Sequence, residues 1–98
     1  MKKELFEKYV KAISRVFDID EELIFTKNKK RNMAESRQML YYMCSNRPMR
    51  ISFIQEQMIE HGYQVSHSTI IQSIKVMENK IQADRDYHHI IKKIQESL

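Results

Sequence analysis

Two helical patterns meet in the segment Gly62-Tyr63-Gln64-Val65-Ser66-His67-Ser68-Thr69-Ile70-Ile71-Gln72-Ser73-Ile74-Lys75. Gly62 is the chain's single glycine, and glycine is typical of the position that ends a helix. Ser66 is suited to begin the next helix, because its hydroxyl can accept from an unpaired backbone N–H. Apolar anchors follow at helical spacing, namely Ile70, Ile71, Ile74 and Met77. The segment therefore predicts a helix, a turn and a second helix.

Polar side chains fill the first two turns of this second helix: Ser66, His67, Ser68, Thr69 and Gln72. Hydroxyls, an imidazole and an amide supply the donors and acceptors that read base edges in a major groove. The same residue types are common in any capped first turn, and this stretch taken alone favours that ordinary interpretation. Both interpretations stay open at this point.

Positive charge is concentrated in one part of the chain. The formal net charge is +4, and residues 27–50 hold seven basic side chains against one acidic one, a local balance of +6. Residues 1–26 and 51–98 each carry five basic and six acidic side chains. Clustered cations are typical of a surface that binds a polyanion, although a solvated basic loop has the same composition.

The composition predicts one all-α domain over residues 1–98. The chain contains one glycine and one proline, which favours helices joined by short turns. One cysteine excludes an internal disulfide and indicates a reducing compartment. No apolar run approaches the length of a membrane span. We therefore expect a cytoplasmic protein with no membrane partner, associated with the nucleoid if it binds DNA.

Periodicity and capping signals predict five or six helices. An amphipathic helix is expected over 2–17, a helical turn over 20–25 and a basic loop over 26–32. Further helices are expected over 33–46, 52–61, 66–80 and 85–97. Ser52 with Gln55 has the capping-box pattern, and Pro48 should break the chain before it. The apolar residues expected to face the core include Ile54, Met58, Ile59, Tyr87, Ile94 and Leu98.

Three segments together resemble a known family. They are Met33-Ala34-Glu35-Ser36-Arg37-Gln38-Met39, Ile51-Ser52-Phe53-Ile54 and Ser66-His67-Ser68-Thr69-Ile70. They are similar to the C-terminal DNA-binding domain of the bacterial replication initiator DnaA. The resemblance runs over roughly residues 8–95 and includes no counterpart of that family's ATPase module. It implies a compact, Trp-repressor-like helix-turn-helix domain that binds double-stranded DNA.

The resemblance also implies roles for individual residues. His67, Ser68 and Thr69 match a motif whose members read bases in the major groove, and Ser66 replaces that motif's aspartate. Arg37 and Gln38 match residues that hold the phosphate backbone, and Lys29 is nearest to a minor-groove arginine. Including the residues suggested by charge, the predicted backbone and minor-groove set is Lys27, Lys29, Lys30, Arg31, Arg37, Gln38, Arg47, Arg50 and Lys75. The predicted base-reading set is Ser66, His67, Ser68, Thr69 and Gln72.

Rival functions receive less support from the residues. The four histidines lack metal-ligand spacing, no glycine-rich phosphate loop exists, and Cys44 lies on an apolar stripe. We therefore predict no enzyme activity, no metal and no cofactor. RNA is disfavoured because a helix cannot read the deep major groove of an A-form duplex.

A second function stays open beside DNA binding. A protein-interaction module or inhibitor that reuses the same fold would use the first helix, or Tyr41 and Tyr42, as its contact surface. For the DNA-binding interpretation we expect a role in replication initiation or transcription regulation. A domain of this kind standing alone suggests a phage or mobile element. The target sequence and the oligomeric state do not follow from these residues.

Overall fold

The structure, a computed structural model, describes residues 1–47 and 49–98. Within these ranges it contains six helices and no strand, which confirms the predicted all-α class. The helices are α1 (Lys2–Phe17), α2 (Glu21–Ile24), α3 (Arg31–Ser45), α4 (Ile51–Glu60), α5 (His67–Ala83) and α6 (Asp86–Glu96). The predicted break at Pro48 lies outside the described residues.

Helix α3 lies at the centre of the domain, where it packs against α1, α2, α4 and α5, while α6 packs against α1 and α5. The buried face of α3 includes Met39, Leu40 and Cys44, all without solvent exposure. Burial raises the pKa of the Cys44 thiol, as expected for a small core side chain rather than a reactive one. The rest of the core comes from Phe6, Tyr9, Ile13, Ile54, Met58, Ile70, Met77 and Ile94.

The turn between α4 and α5 forms as the sequence predicts. Gly62 adopts a left-handed φ of 84°, and its N–H donates to the Ile59 carbonyl over 2.8 Å. Tyr63 N–H donates to the Met58 carbonyl over 2.9 Å, so the last carbonyls of α4 are satisfied. At the other end of the turn, Ser66 Oγ accepts from Thr69 N–H over 3.1 Å and caps α5. These contacts fix the angle at which α5 leaves the turn.

Replacing Gly62 with alanine should lower the free energy of unfolding by about 1–2 kcal/mol, the cost of a left-handed residue that carries a Cβ. A Cβ at this position meets no atom within 4 Å, so steric overlap adds nothing. Urea unfolding measures the effect. Gly62→Asn is the control and should be milder, because asparagine tolerates this conformation. Equal stability of Gly62→Ala and the parent chain would contradict the assigned backbone role.

The capping box predicted for α4 is wrong. Helix α4 begins at Ile51 with Arg50 as its N-cap and no side-chain cap, while Ser52 lies exposed inside the first turn. Met49, two residues before the helix, is buried in the core. The Gln55 amide instead donates to the Val65 carbonyl over 2.9 Å, which holds the turn against α4.

Three apolar residues expected in the core are exposed instead. Ile59 is 40%, Ile71 is 43% and Leu98 is 42% accessible. Met58 and Ile70 take the inward positions in α4 and α5, and the next residue along a helix points about 100° away. Leu98 stands two residues after the end of α6, so no helix holds it against the core.

Candidate nucleic-acid interface

The start of α5 presents the predicted base-reading set to solvent. Ser66, His67, Ser68, Thr69 and Gln72 are all exposed, whereas Ile70 beneath them is fully buried. Ser66 and Thr69 are joined by the cap and by a 3.0 Å hydroxyl–hydroxyl hydrogen bond. Among the described residues, no hydrogen bond engages the side chains of His67, Ser68 or Gln72. Their donors and acceptors are therefore available to a ligand.

A basic loop precedes α3 and reaches the turn that leads into α5. The loop predicted over 26–32 is shorter, because α3 begins at Arg31. The name basic loop is kept for residues 26–31, whose side chains Lys27, Lys29, Lys30 and Arg31 are exposed. Lys27 Nζ donates to the Gln64 carbonyl over 2.6 Å, and it lies 4.3 Å from the centre of the Tyr63 ring. Gln64 stands two residues before the cap of α5. The contact brings the basic loop beside the polar start of α5.

Arg37 holds the basic loop from inside the domain. It is only 7% exposed. Its Nη1 donates to the carbonyls of Ile24 and Thr26 over 3.3 and 2.9 Å, and its Nη2 to that of Asn28 over 2.7 Å. A guanidinium has five N–H donors, and here one is taken by the end of α2 and two by the basic loop. This position differs from the exposed one that a phosphate contact needs.

Tyr63 is a site residue that the sequence did not single out. Its ring faces Lys27 and also Arg37, whose guanidinium carbon lies 5.1 Å from the ring centre. Cation–π contacts of this kind contribute about 0.5–1 kcal/mol each at exposed sites. Tyr63 therefore links the loop, α3 and the turn. Its place directly after the helix-ending Gly62 is the only signal in the sequence.

A polar network orients Gln38 next to the start of α5. Lys80 Nζ donates to Gln38 Oε1 over 2.9 Å and to Glu35 Oε2 over 3.0 Å, and Tyr87 OH donates to the same Glu35 oxygen over 2.6 Å. Because lysine only donates, it fixes the Gln38 oxygen toward Lys80 and leaves the amide N–H groups free. Gln38 lines an open cleft of about 420 Å³ with Ser68, Thr69, Gln72, Ser73 and Val76.

Electrostatics in this network favour an ionised Glu35. Burial raises the pKa of its carboxyl, but hydrogen bonds from Tyr87 and Lys80 outweigh burial and hold the pKa below its usual value. Burial, together with the Glu35 carboxylate, raises the pKa of Tyr87 to about 12, so its hydroxyl stays protonated as a donor. The network therefore keeps one arrangement near neutral pH.

Comparison with protein-family models, curated proteins and solved structures gives no match for this chain. Function must therefore be inferred from the contacts and exposure of its own side chains.

The remaining predicted backbone residues are exposed but lie at different places. Lys75 follows Ser68 and Gln72 along the same face of α5, two turns after the cap. Arg47 follows α3 and lies near Tyr9 of α1. Burial raises the pKa of the Tyr9 hydroxyl, and the positive charge of Arg47 offsets part of that rise. Arg50 is the N-cap of α4. Within residues 1–47 and 49–98, no hydrogen bond or ion pair joins Arg47 or Arg50 to the basic loop or to α5.

The alternative contact surface at Tyr41 and Tyr42 is smaller than expected. Tyr41 is 2% exposed and belongs to the core, so it cannot meet a partner, and Tyr42 is half-buried. On α1, the exposed side chains include Lys8, Lys11 and Arg15. This surface is hydrophilic rather than apolar.

Two further features concern only the part of the chain that the structure describes. None of its helices has the length and apolar character required to cross a lipid bilayer. No three side chains among its histidines, cysteines, aspartates and glutamates converge in a way that would hold a metal ion.

Proposed function

We propose that this chain binds double-stranded DNA in a sequence-dependent way, without catalysis. The start of α5 enters the major groove, and the basic loop contacts the phosphate backbone or the adjacent minor groove. The observation that carries this proposal is the 2.6 Å hydrogen bond from Lys27 to the Gln64 carbonyl. It joins the cluster of positive charge to the start of α5, where the exposed side chains of His67, Ser68 and Gln72 are unengaged by the described residues.

The basic loop and the start of α5 contribute differently to DNA recognition. Lys29, Lys30 and Arg31 are exposed cations that neutralise phosphates, which supplies affinity for any duplex. His67, Ser68 and Gln72 offer donors and acceptors to base edges, which supplies preference among sequences. A major groove is about 12 Å wide and admits one helix. The contacts of the basic loop with the DNA phosphate backbone set the position of α5 in that groove.

Arg37 and Gln38 take different parts in this scheme. Arg37 is a positioning residue, since its guanidinium fixes the carbonyl of Ile24 at the end of α2 and those of Thr26 and Asn28 in the basic loop. Gln38 is a contact to the DNA phosphate backbone. Lys80 donates to its side-chain oxygen, and its free amide N–H groups can donate to a phosphate. The likeness of the Met33–Met39 and Ser66–Ile70 segments to the DnaA domain supports a role in replication initiation or transcription regulation.

Selection of bound sequences from a pool of random duplexes tests this function. We expect a defined sequence to be enriched, and its affinity to fall steeply as salt rises. Absence of any enriched sequence, together with salt-independent or undetectable duplex binding, would contradict the proposal. The alternative function, a protein-interaction module, then becomes the working hypothesis.

Gln38→Glu should weaken duplex binding about tenfold, because a carboxylate cannot donate to a phosphate and its negative charge repels the phosphate. Lys80 can still pair with the new carboxylate, so the fold is expected to persist. Fluorescence anisotropy with a labelled duplex measures the change. Gln82→Glu is the matched control, since it adds the same charge at an exposed position near the far end of α5. Equal losses in the two variants would contradict a local contact by Gln38.

A further inference from the structure

Ile71 is an apolar residue in the middle of a polar surface. It lies in the second turn of α5 and is 43% exposed, while its neighbour Ile70 is fully buried. By helical spacing it shares the outward face with His67, Ser68 and Lys75, which stand four before, three before and four after it. Within the described part of α5, no other large apolar side chain has comparable exposure.

The Ile71 side chain contributes no buried contact to the fold. Ile70 and Met77 already supply the buried contacts of α5, and Ile71 does not belong to the core cluster or to the apolar residues packed against it. A helix face that only met water would gain nothing from an apolar group here. Ile71 is surrounded by hydrogen-bonding side chains to which the proposed function assigns base reading.

We propose that Ile71 is a specificity-determining residue that packs against the C5-methyl group of a thymine in the target site. This inference rests on the proposed function. In the major groove thymine presents an apolar group, its C5-methyl, which is recognised by contact with an apolar side-chain surface. Ile71 therefore adds to the neighbouring donors and acceptors a preference for an A·T pair in one orientation.

Deoxyuridine, which lacks only this methyl group, tests the contact. Each thymine of the selected duplex is replaced in turn, and affinity is measured for the parent chain, for Ile71→Ala and for Leu98→Ala. Leu98 is the matched control, because it is 42% exposed and follows α6 rather than lying on α5. Alanine favours helix, and circular dichroism verifies that Ile71→Ala is folded.

At one thymine, the substitution should weaken binding of the parent chain and of Leu98→Ala about fourfold, which corresponds to about 0.8 kcal/mol for one buried methyl group. Ile71→Ala should be insensitive at that same position. If no deoxyuridine weakens the parent chain, or if Ile71→Ala keeps the full sensitivity, the inference is overturned while DNA binding stands. If no duplex is bound at all, the proposed function fails as well.

Discussion

Replacing Lys29, Lys30 and Arg31 together with alanine is expected to weaken duplex binding by about two to three orders of magnitude near 0.1 M salt. Each cation that neutralises a phosphate releases counterions and contributes about 0.9 to the slope of log affinity against log salt. The slope should therefore fall by about 2.7, three times this value. Lys27 is left in place, because its ammonium also holds the turn through the Gln64 carbonyl. Anisotropy titrations at several salt concentrations give both quantities.

The matched control replaces Lys8, Lys11 and Arg15, three exposed cations of α1, with alanine. Both triple variants lower the formal net charge from +4 to +1, so they differ only in where the charge is lost. We expect the α1 variant to keep most of its affinity and slope. Equal losses in the two variants would mean that duplex affinity depends on net charge rather than on the basic loop.

Arg37→Met should lower the free energy of unfolding by about 2–4 kcal/mol. Hydrogen bonds to a charged group are worth about 1.5–3 kcal/mol each, but the carbonyls of a partly exposed loop regain water and reduce the sum. Methionine fills much of the same volume, so the lost hydrogen bonds dominate the effect. The loop that Arg37 holds should also become mobile, and duplex affinity should fall with it. Urea unfolding measures the stability change.

Arg50→Met is the control for this prediction, because Arg50 is an exposed arginine whose replacement should change stability by less than about 0.5 kcal/mol. The comparison separates a positioning role from a surface contact. If Arg37→Met unfolds at the same urea concentration as the parent chain yet binds DNA poorly, Arg37 acts as a direct phosphate ligand. That outcome would contradict the role assigned from its burial.

Local signals determined the parts of the fold that the sequence predicted well. The apolar spacing along α1 gave both of its ends, and the Ser66 hydroxyl gave the start of α5, because each depends on residues within a few positions. The start of α4 does not follow its local motif at Ser52. The Ser52–Gln55 motif is present, but α4 already begins at Ile51, and the Gln55 amide donates to the Val65 carbonyl in a tertiary contact.

For the candidate interface, side-chain exposure could be predicted from local signals, whereas long-range contacts could not. Exposure of His67 and Ser68 follows from their place in a capped first turn above the buried Ile70. The roles of Arg37 and Tyr63 were not predictable, because they depend on contacts with residues far along the chain. Arg37 contacts carbonyls at 24–28, and Tyr63 contacts Lys27. A charge count cannot distinguish a buried arginine from an exposed one.

In the proposed complex, the basic loop and the start of α5 contact one duplex together. Backbone amide chemical shifts, followed by NMR while the selected duplex is added, test this joint contact most directly. We expect residues 27–31 and 66–72 to shift along the same titration curve, with α6 and the exposed face of α1 unchanged. Shifts confined to α1 or α6, or movement of only one of the two segments, would contradict the account.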